Sequence, residues 1–388
     1  MESNAFDVVV VGGGPAGASA AYNLAKSGMN VALLEKEKLP RYKSCGGVVA
    51  THVDKILDFS IEPVIERKIS KILITVNLKK PFVTQSPSPF IYLVMRDKFD
   101  NFLVEKAKSV GVNIFQESPL INLQETTDGY LLTTDSQSFQ AKYLIGADGA
   151  NGVTRMLLGL SRIQNRSVAV EREIYATKNA LEKWDDMIAL DFGYLSSGYA
   201  WVFPKEKNFS IGTGGPLRVS KELIKYYDDA LSYYKDRVEN TESFCSTGHQ
   251  LPIRSKGETI QIGRTLFVGD AAGMIEPMAG EGIYYAIRSG QIAAETIINS
   301  AKNGDENLIN YQTTIDREIQ PELQVAKSLL YLLDLAPNIW VPILMKPKHI
   351  FWKFFYRVFT GEKDYQDLPK KFSFVGKIFF NWLDKKLN

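Results

Sequence analysis

Cysteine and histidine are scarce in this chain of 388 residues: Cys45 and Cys245, and His52, His249 and His349. Two thiols cannot supply an all-cysteine zinc site or an iron–sulfur cluster. The histidines stand too far apart for a metal-binding helix pair, so no metal centre is expected. A disulfide-stapled scaffold is excluded by the same count. Neither sign of charge is in excess: 46 Lys and Arg against 44 Asp and Glu leave +2, which gives no global electrostatic case for nucleic acid. Long uninterrupted apolar runs are missing too. The most apolar stretch, Leu329 to Met345, carries Asp334 and Asn338 and is broken by Pro337 and Pro342, whereas a span needs about 20 apolar residues. A strand-like run starting at Phe6 leaves no room for a signal peptide. Met1-Glu2 lacks the glycine for myristoylation, and the C-terminus lacks a prenylation box. The expectation is a cytoplasmic protein without a transmembrane helix.

What remains is an ordered composition, 45% hydrophobic and 23% charged, long enough for two or three domains at about 150 residues each. No repeat or low-complexity segment is visible. Phe6 to Val11 reads as a buried parallel strand, Ala16 to Lys26 as a helix ended by Gly28, and Asn30 to Leu34 as a second strand. A helix is predicted from Arg96 to Gly111, with strands at Asn113–Phe115, Tyr130–Thr134 and Tyr143–Ala147. Val168–Tyr175, Met187–Phe192, Ala200–Pro204 and Phe209–Gly212 read as antiparallel strands, with a turn through Lys205–Asn208. Ser220 to Val238 is predicted as a helix capped by Ser220. Leu266–Val268 returns to the buried-strand style, and Gly282 to Lys302 and Asn307 to Leu335 are predicted helical.

The densest signal is Gly12-Gly13-Gly14-Pro15-Ala16-Gly17, which fits G-x-G-x-x-G. In this pattern Gly12 permits the tight turn, Gly14 lets a pyrophosphate approach the backbone, and Gly17 allows close helix–strand packing. The helix N-terminus offers free N–H groups to a diphosphate. Glu35, 23 residues after Gly12 at the end of the next strand, suits a ribose diol. Strand, turn, helix and acid together indicate an adenine dinucleotide.

Three further segments choose between NAD and FAD. Gly269-Asp270-Ala271-Ala272-Gly273 resembles the second flavin fingerprint of the glutathione-reductase-like FAD family. Leu144-Ile145-Gly146-Ala147-Asp148-Gly149 resembles the Asp-Gly motif of its p-hydroxybenzoate-hydroxylase-like branch, and Arg96 matches that branch's arginine at the flavin. Pro40 to Gly47, Tyr199-Ala200-Trp201-Val202-Phe203-Pro204-Lys205 and Pro277 to Ile283 resemble signatures of the geranylgeranyl reductase family. These are FAD enzymes that saturate isoprenoid double bonds. The resemblance covers roughly residues 5 to 300.

It implies an α/β fold: a Rossmann-like, glutathione-reductase-like FAD-binding domain with an inserted antiparallel β substrate domain and a helical C-terminal region. The expected boundaries are 1–160 plus 255–303 for the discontinuous FAD domain, with 50–95 partly on the substrate side. The substrate domain is placed at 161–254 and the C-terminal region at 304–388. The implied cofactor-binding residues are Gly12, Gly14, Pro15, Ala16, Gly17, Glu35, Lys36, Cys45, Gly46, Gly47, Arg96, Leu120, Asp148, Gly149, Asp270, Gly280, Gly282 and Ile283. Tyr199, Trp201 and Phe203 alternate, so they share one strand face; they are candidate walls for a prenyl group, or the core face of the sheet.

The resemblance also implies the chemistry. Reduced FAD supplies a hydride to an isolated alkene, and a proton must reach the other carbon. Cys45 is the candidate acid, since a thiol in apolar surroundings stays protonated; the alternative is that it only packs. Glu281 is read either as a titratable group near the ring or, preferably, as a helix-N-terminal acid. The electron donor is expected to be NAD(P)H or a ferredoxin-like carrier. Two rival readings stay open: an FAD-dependent monooxygenase or halogenase, and a flavin-binding membrane-interaction protein without turnover.

The last 51 residues differ in character. They hold ten Lys and Arg against four acids, interleaved with thirteen Phe, Trp and Tyr. That mixture suits an anionic lipid surface, making the protein peripheral to the membrane. It equally suits a helical cap whose rings face the core.

Overall fold

In the computed structural model, residues 4–240, 242–304, 308–335 and 350–370 are described. The described chain divides into two units. The first contains the chain up to Lys43, Arg96–Asn165 and Leu251–Leu323; the second contains Ser44–Met95, Arg166–Gln250 and the described residues from Gln324.

The first unit is built on a largely parallel sheet. Asn4–Val11 lies at its centre, paired in parallel with Ser138–Gly146 on one side and Val31–Leu34 on the other. Thr265–Phe267 and Asn113–Phe115 extend the two flanks, also in parallel. Val8, Val9 and Val10 are fully buried, as expected of a strand covered on both faces. The helix Pro15–Lys26 starts with Pro at its first position, where the missing N–H costs nothing. It packs against Ile283–Asn303, and Gly290 makes that possible: a Cβ there would stand 2.3 Å from the Ala16 carbonyl oxygen.

The second unit holds a seven-stranded sheet in the order Ser243–Pro252, Arg166–Tyr175, Asn208–Pro216, Tyr199–Pro204, Met187–Phe192, Lys71–Val76, Lys79–Gln85. From Arg166–Tyr175 to Lys79–Gln85 the neighbours are antiparallel except Met187–Phe192 with Lys71–Val76, which run parallel. One face takes Val202, Phe209, Ile211 and Ile174 into a core with Tyr227, Tyr234 and Val238 of the helix Leu223–Val238. A smaller sheet pairs Ile91–Val94 with Val48–Ala50 and Ile65–Ile69.

Two helix boundaries differ from expectation. Ser220 does not cap the helix. It has helical dihedrals (φ −58°, ψ −32°) at the end of a 3-10 turn over Leu217–Val219, and the helix begins at Leu223. A cap residue needs extended geometry, which that turn denies it. The single helix expected over 307–335 is two, Asn310–Glu318 and Gln320–Leu335. Pro321 cannot continue a helix but fits the first turn of a new one.

The described part of the aromatic tail belongs to the core of the second unit. Trp352, Phe354, Phe355, Tyr356 and Phe359 of the helix Ile350–Phe359 are buried. Phe90 packs against Tyr356 at 4.7 Å between ring centroids, and the Tyr356 hydroxyl bonds Thr84. For these rings the core reading applies. Trp340, Phe372, Phe374, Phe379, Phe380 and Trp382, which also belong to the lipid-surface reading, lie outside the described residues. Among the described residues no helix is long and apolar enough to cross a membrane.

Candidate active site

In the first unit the glycine motifs converge on the start of one helix. Gly12 sits at φ +112°, and a Cβ there would lie 2.3 Å from the Ala147 oxygen. Gly17 has the same constraint against the Gly12 oxygen at 2.0 Å. Gly14 is the opposite case: its Cβ would meet nothing within 4 Å. Two glycines are therefore required by the chain's own packing, while the third leaves open space above the helix N-terminus. Gly269 faces Ala16, at 2.9 Å from a built Cβ to the alanine Cβ, and Gly282 faces Asp270 Oδ1 at 4.0 Å. The Gly269 N–H donates to Ser289 Oγ at 3.0 Å. Gly12–Gly17, Ala147–Gly149, Gly269–Gly273 and Gly280–Ile283 are thus brought together. Pro15 and Ala16 open the helix below them.

Glu35 is 3% exposed. Its carboxylate accepts the Gly13 N–H at 2.9 Å and the Glu37 N–H at 3.1 Å, and faces Arg41 Nε at 3.3 Å. A carboxylate has about four lone-pair sites, so capacity for one further donor, such as a ribose hydroxyl, remains. Arg41 continues to Asp100 at 3.0 Å, and Arg96 grips the same Asp100 with two bonds of 2.7 and 2.9 Å. This ionic chain joins the acid of the second strand to the candidate flavin arginine. Arg41 and Asp100 had no role assigned from sequence; the i,i+4 spacing of Arg96 and Asp100 was the available signal. Lys36 points to solvent, paired with Glu37. The Leu120 side chain packs in the core with Val9, Val11, Ala32 and Leu34. Asp148 fixes its own loop, accepting the Thr154 N–H at 2.8 Å and its hydroxyl at 2.7 Å. The residues present fit FAD: a cradle that one Cβ would fill, N–H groups at a helix start, and a buried acid beside them.

Glu281 serves the helix reading: its carboxylate accepts the Tyr284 N–H at 2.8 Å. Glu276 accepts the N–H groups of Met278 and Ala279, both at 2.7 Å. Burial pushes Glu276 up to about 7 and Glu281 up to about 8, the N–H donors pulling the other way. Burial takes His52 down to about 4. The two carboxyls keep protons in the folded chain that the unfolded chain releases above about pH 4.5. The folded state then binds more protons, so stability falls as pH rises from 4.5 towards 8. His52 acts oppositely and only between 6.5 and about 4. The melting temperature should therefore drop between pH 6.5 and pH 8, and a flat or rising curve would contradict the assignment.

The second unit carries the other candidates. Tyr199, Trp201 and Phe203 share one sheet face, their rings in sequence at 5.8 and 6.0 Å between centroids. Gly46 lies on this ladder: a Cβ there would be 2.8 Å from the Phe203 ring and 3.5 Å from Trp201 Nε1. The Cys45 Sγ accepts the Gly47 N–H at 3.4 Å. Gly47, at φ +72°, leaves no room for a Cβ beside the Val94 carbonyl.

The same sheet face holds a polar group that sequence reasoning missed. Lys205 is fully buried, and Glu171 and Glu173 are 3% and 2% exposed. The Lys205 ammonium donates to the carbonyls of Gly46 and of Val94, the second at 2.8 Å. Glu171 accepts the Cys45 N–H at 3.1 Å and the Ser210 hydroxyl at 3.1 Å, and Ser210 accepts the Trp201 indole N–H at 3.1 Å. Glu173 accepts from the Asn208 side chain. The alternation Glu171-Arg172-Glu173 was the legible signal, since both carboxylates fall on one face.

Comparison with known proteins gives a consistent set. Residues 5–191 match the family model described as an FAD binding domain. A geranylgeranyl diphosphate reductase of Synechocystis is 30% identical over 76% of this chain and 76% of its own. A digeranylgeranylglycerophospholipid reductase of Methanococcus vannielii is 30% identical over 79% of this chain and 81% of its own. A geranylgeranyl bacteriochlorophyll reductase-like protein of Thermoplasma acidophilum shares the fold, with a TM-score of 0.79 at 24% identity over 89% of this chain and 92% of that one.

Proposed function

The chain belongs to the geranylgeranyl reductase family of FAD-dependent oxidoreductases, and from that we infer that it saturates isolated C=C bonds of a geranylgeranyl or other polyprenyl group. The observation that carries this reading is 30% identity to two prenyl reductases over about three quarters of the chain. The glycine cradle and the buried Glu35 in the first unit supply the cofactor side. When bound and reduced, FAD supplies the hydride.

The remaining tasks fall to side chains. Glu35, closed onto the glycine turn by Gly13 and held by Arg41, orients the ribose. The ladder of Tyr199, Trp201 and Phe203 offers an apolar face to a prenyl chain, with Gly46 packed against the Phe203 ring where a larger residue would not fit. Cys45 donates the proton to the second alkene carbon. The electron donor is an NAD(P)H or a ferredoxin-like carrier, and the substrate is a prenylated small molecule or lipid met at a membrane surface.

The test is anaerobic incubation of the chemically reduced holoprotein with geranylgeranyl diphosphate and, separately, with a geranylgeranyl ether lipid. Mass spectrometry of the extract should show two added hydrogens per bond, one of them deuterium when the solvent is deuterium oxide. Unchanged masses with both substrates would overturn the reading.

A further inference from the structure

We propose that Lys205 and Glu173 form the proton supply that recharges the Cys45 thiol after each reduction, with Glu171 holding the loop in place. The proposal rests on the alkene-reductase reading and deepens it.

The argument starts from burial. A lysine with no exposed surface and two carboxylates almost as enclosed stand on one sheet face. Three fully charged groups there would leave an uncompensated negative charge, which burial penalises heavily. The arrangement without net charge keeps the ammonium, one carboxylate and one carboxylic acid. The ammonium is fixed by its bonds to two backbone carbonyls, Gly46 and Val94. The carboxylate is fixed at Glu171, which accepts two donors, the Cys45 N–H and the Ser210 hydroxyl. The proton therefore resides on Glu173. Its surroundings agree: burial, and after it the Glu171 carboxylate, push Glu173 up, against Lys205 and the Asn208 amide, with Glu66 adding to the push. Two further charged groups stand at this site with opposite signs: Arg67, which donates Nε to the Lys205 carbonyl at 2.9 Å, and Glu66, so they add no net charge to the balance.

The geometry places this store on the backbone of the Cys45 loop. Lys205 sits on the carbonyl of Gly46, the residue that follows Cys45, and the Cys45 N–H itself donates to Glu171. The steps balance. The Cys45 S–H bond breaks as a C–H bond forms on the alkene, while the hydride from reduced FAD forms the other C–H bond. One Lys205 N–H then goes to the thiolate, the Glu173 O–H goes to the Lys205 amine, and solvent returns a proton to Glu173.

Glu173→Gln in the holoprotein separates supply from donation. The first turnover of the reduced protein should stay within about twofold of wild type, because the supply acts only after Cys45 has given up its proton. Steady-state turnover should fall about tenfold, less than the roughly 100-fold of removing a general acid itself. Glu173→Asp should recover part of the loss. Infrared spectra of wild type should show a protonated-carboxyl band, shifted in deuterium oxide and missing in Glu173→Gln. An equal slowing of first and later turnovers, an unchanged steady state, or persistence of the band would overturn the proposal. So would an unchanged rate in Cys45→Ser. Failure of wild type to saturate any alkene would instead strike the functional reading, and the infrared result would then still report where the proton lies.

Discussion

Gly14→Val is expected to give a folded protein that purifies without colour and stays colourless after incubation with FAD. The backbone at Gly14 is extended, φ −78° and ψ 180°, immediately before Pro15. Any residue adopts that conformation, and the position before proline favours it. The built Cβ touches nothing, so the chain itself has no objection to a valine. The diphosphate does, because the isopropyl group occupies the space above the first turn of Pro15–Lys26, where the free N–H groups point. Hydrogen bonds to charged groups contribute about 1.5–3 kcal/mol each, so losing two weakens binding by roughly 10²–10⁴-fold. Gly12→Val and Gly17→Val are the controls. There the new side chain meets backbone at 2.3 and 2.0 Å, and overpacking costs about 1–3 kcal/mol or more. These two should lose stability, whereas Gly14→Val should keep the wild-type melting temperature of the cofactor-free protein. Flavin absorbance and thermal unfolding of the three variants decide the matter. Wild-type flavin content in Gly14→Val would remove the dinucleotide from this turn.

That contrast shows what the sequence made readable. The G-x-G-x-x-G pattern assigns three glycines three different duties, and the structure separates them by what a methyl group would strike. Patterns of this kind are local: a strand, a turn and a helix within about 30 residues, each with its own composition. The alternation of Tyr199, Trp201 and Phe203 was readable for the same reason, since period two is a property of the strand alone. Ser220 was misread because a 3-10 turn of three residues has no periodicity to announce it, and a serine before a helix is the usual sign of a cap. The helix break at Ile319 was announced by Pro321, yet the apolar spacing on both sides of it reads as one continuous stripe.

The ionic chain and the polar cluster were hidden for a different reason. Arg41 meets Glu35 and Asp100 only because a loop brings together positions far apart in the sequence. Lys205 meets Gly46 across 159 positions, and Glu171 meets Cys45 across 126. No local rule connects such pairs. What the sequence did show is that a lysine ends a strand of aromatic and aliphatic residues, a place where a hairpin normally exposes its charges. Its complete burial is the feature that only the assembled sheet reveals. The tail teaches the converse. Its mixture of cations and rings is the same for a lipid surface and for a cap on the core, and Phe90, Phe82 and Thr84, distant in sequence, choose the core for Trp352 and Tyr356.

Cys45→Ser is expected to keep FAD and the fold while slowing alkene saturation by about 100-fold, the low end of what a lost general acid costs. An isolated alkene has no carbonyl to draw electron density away, so hydride addition at one carbon requires a proton at the other. A free thiol ionises near pH 8.5 in general, while a serine hydroxyl is a far weaker acid. The substitution changes one atom and preserves the surroundings: the backbone N–H still reaches Glu171, and the side-chain oxygen can still accept the Gly47 N–H. Loss of rate therefore reports on acidity and not on the shape of the loop. The measurement is a single turnover of the reduced protein with a prenyl substrate, alongside flavin content and melting temperature. A slowed first turnover with both controls unchanged identifies Cys45 as the donor. If the first turnover is unaffected, the thiol only packs beneath Gly47, and the proton must come from another group.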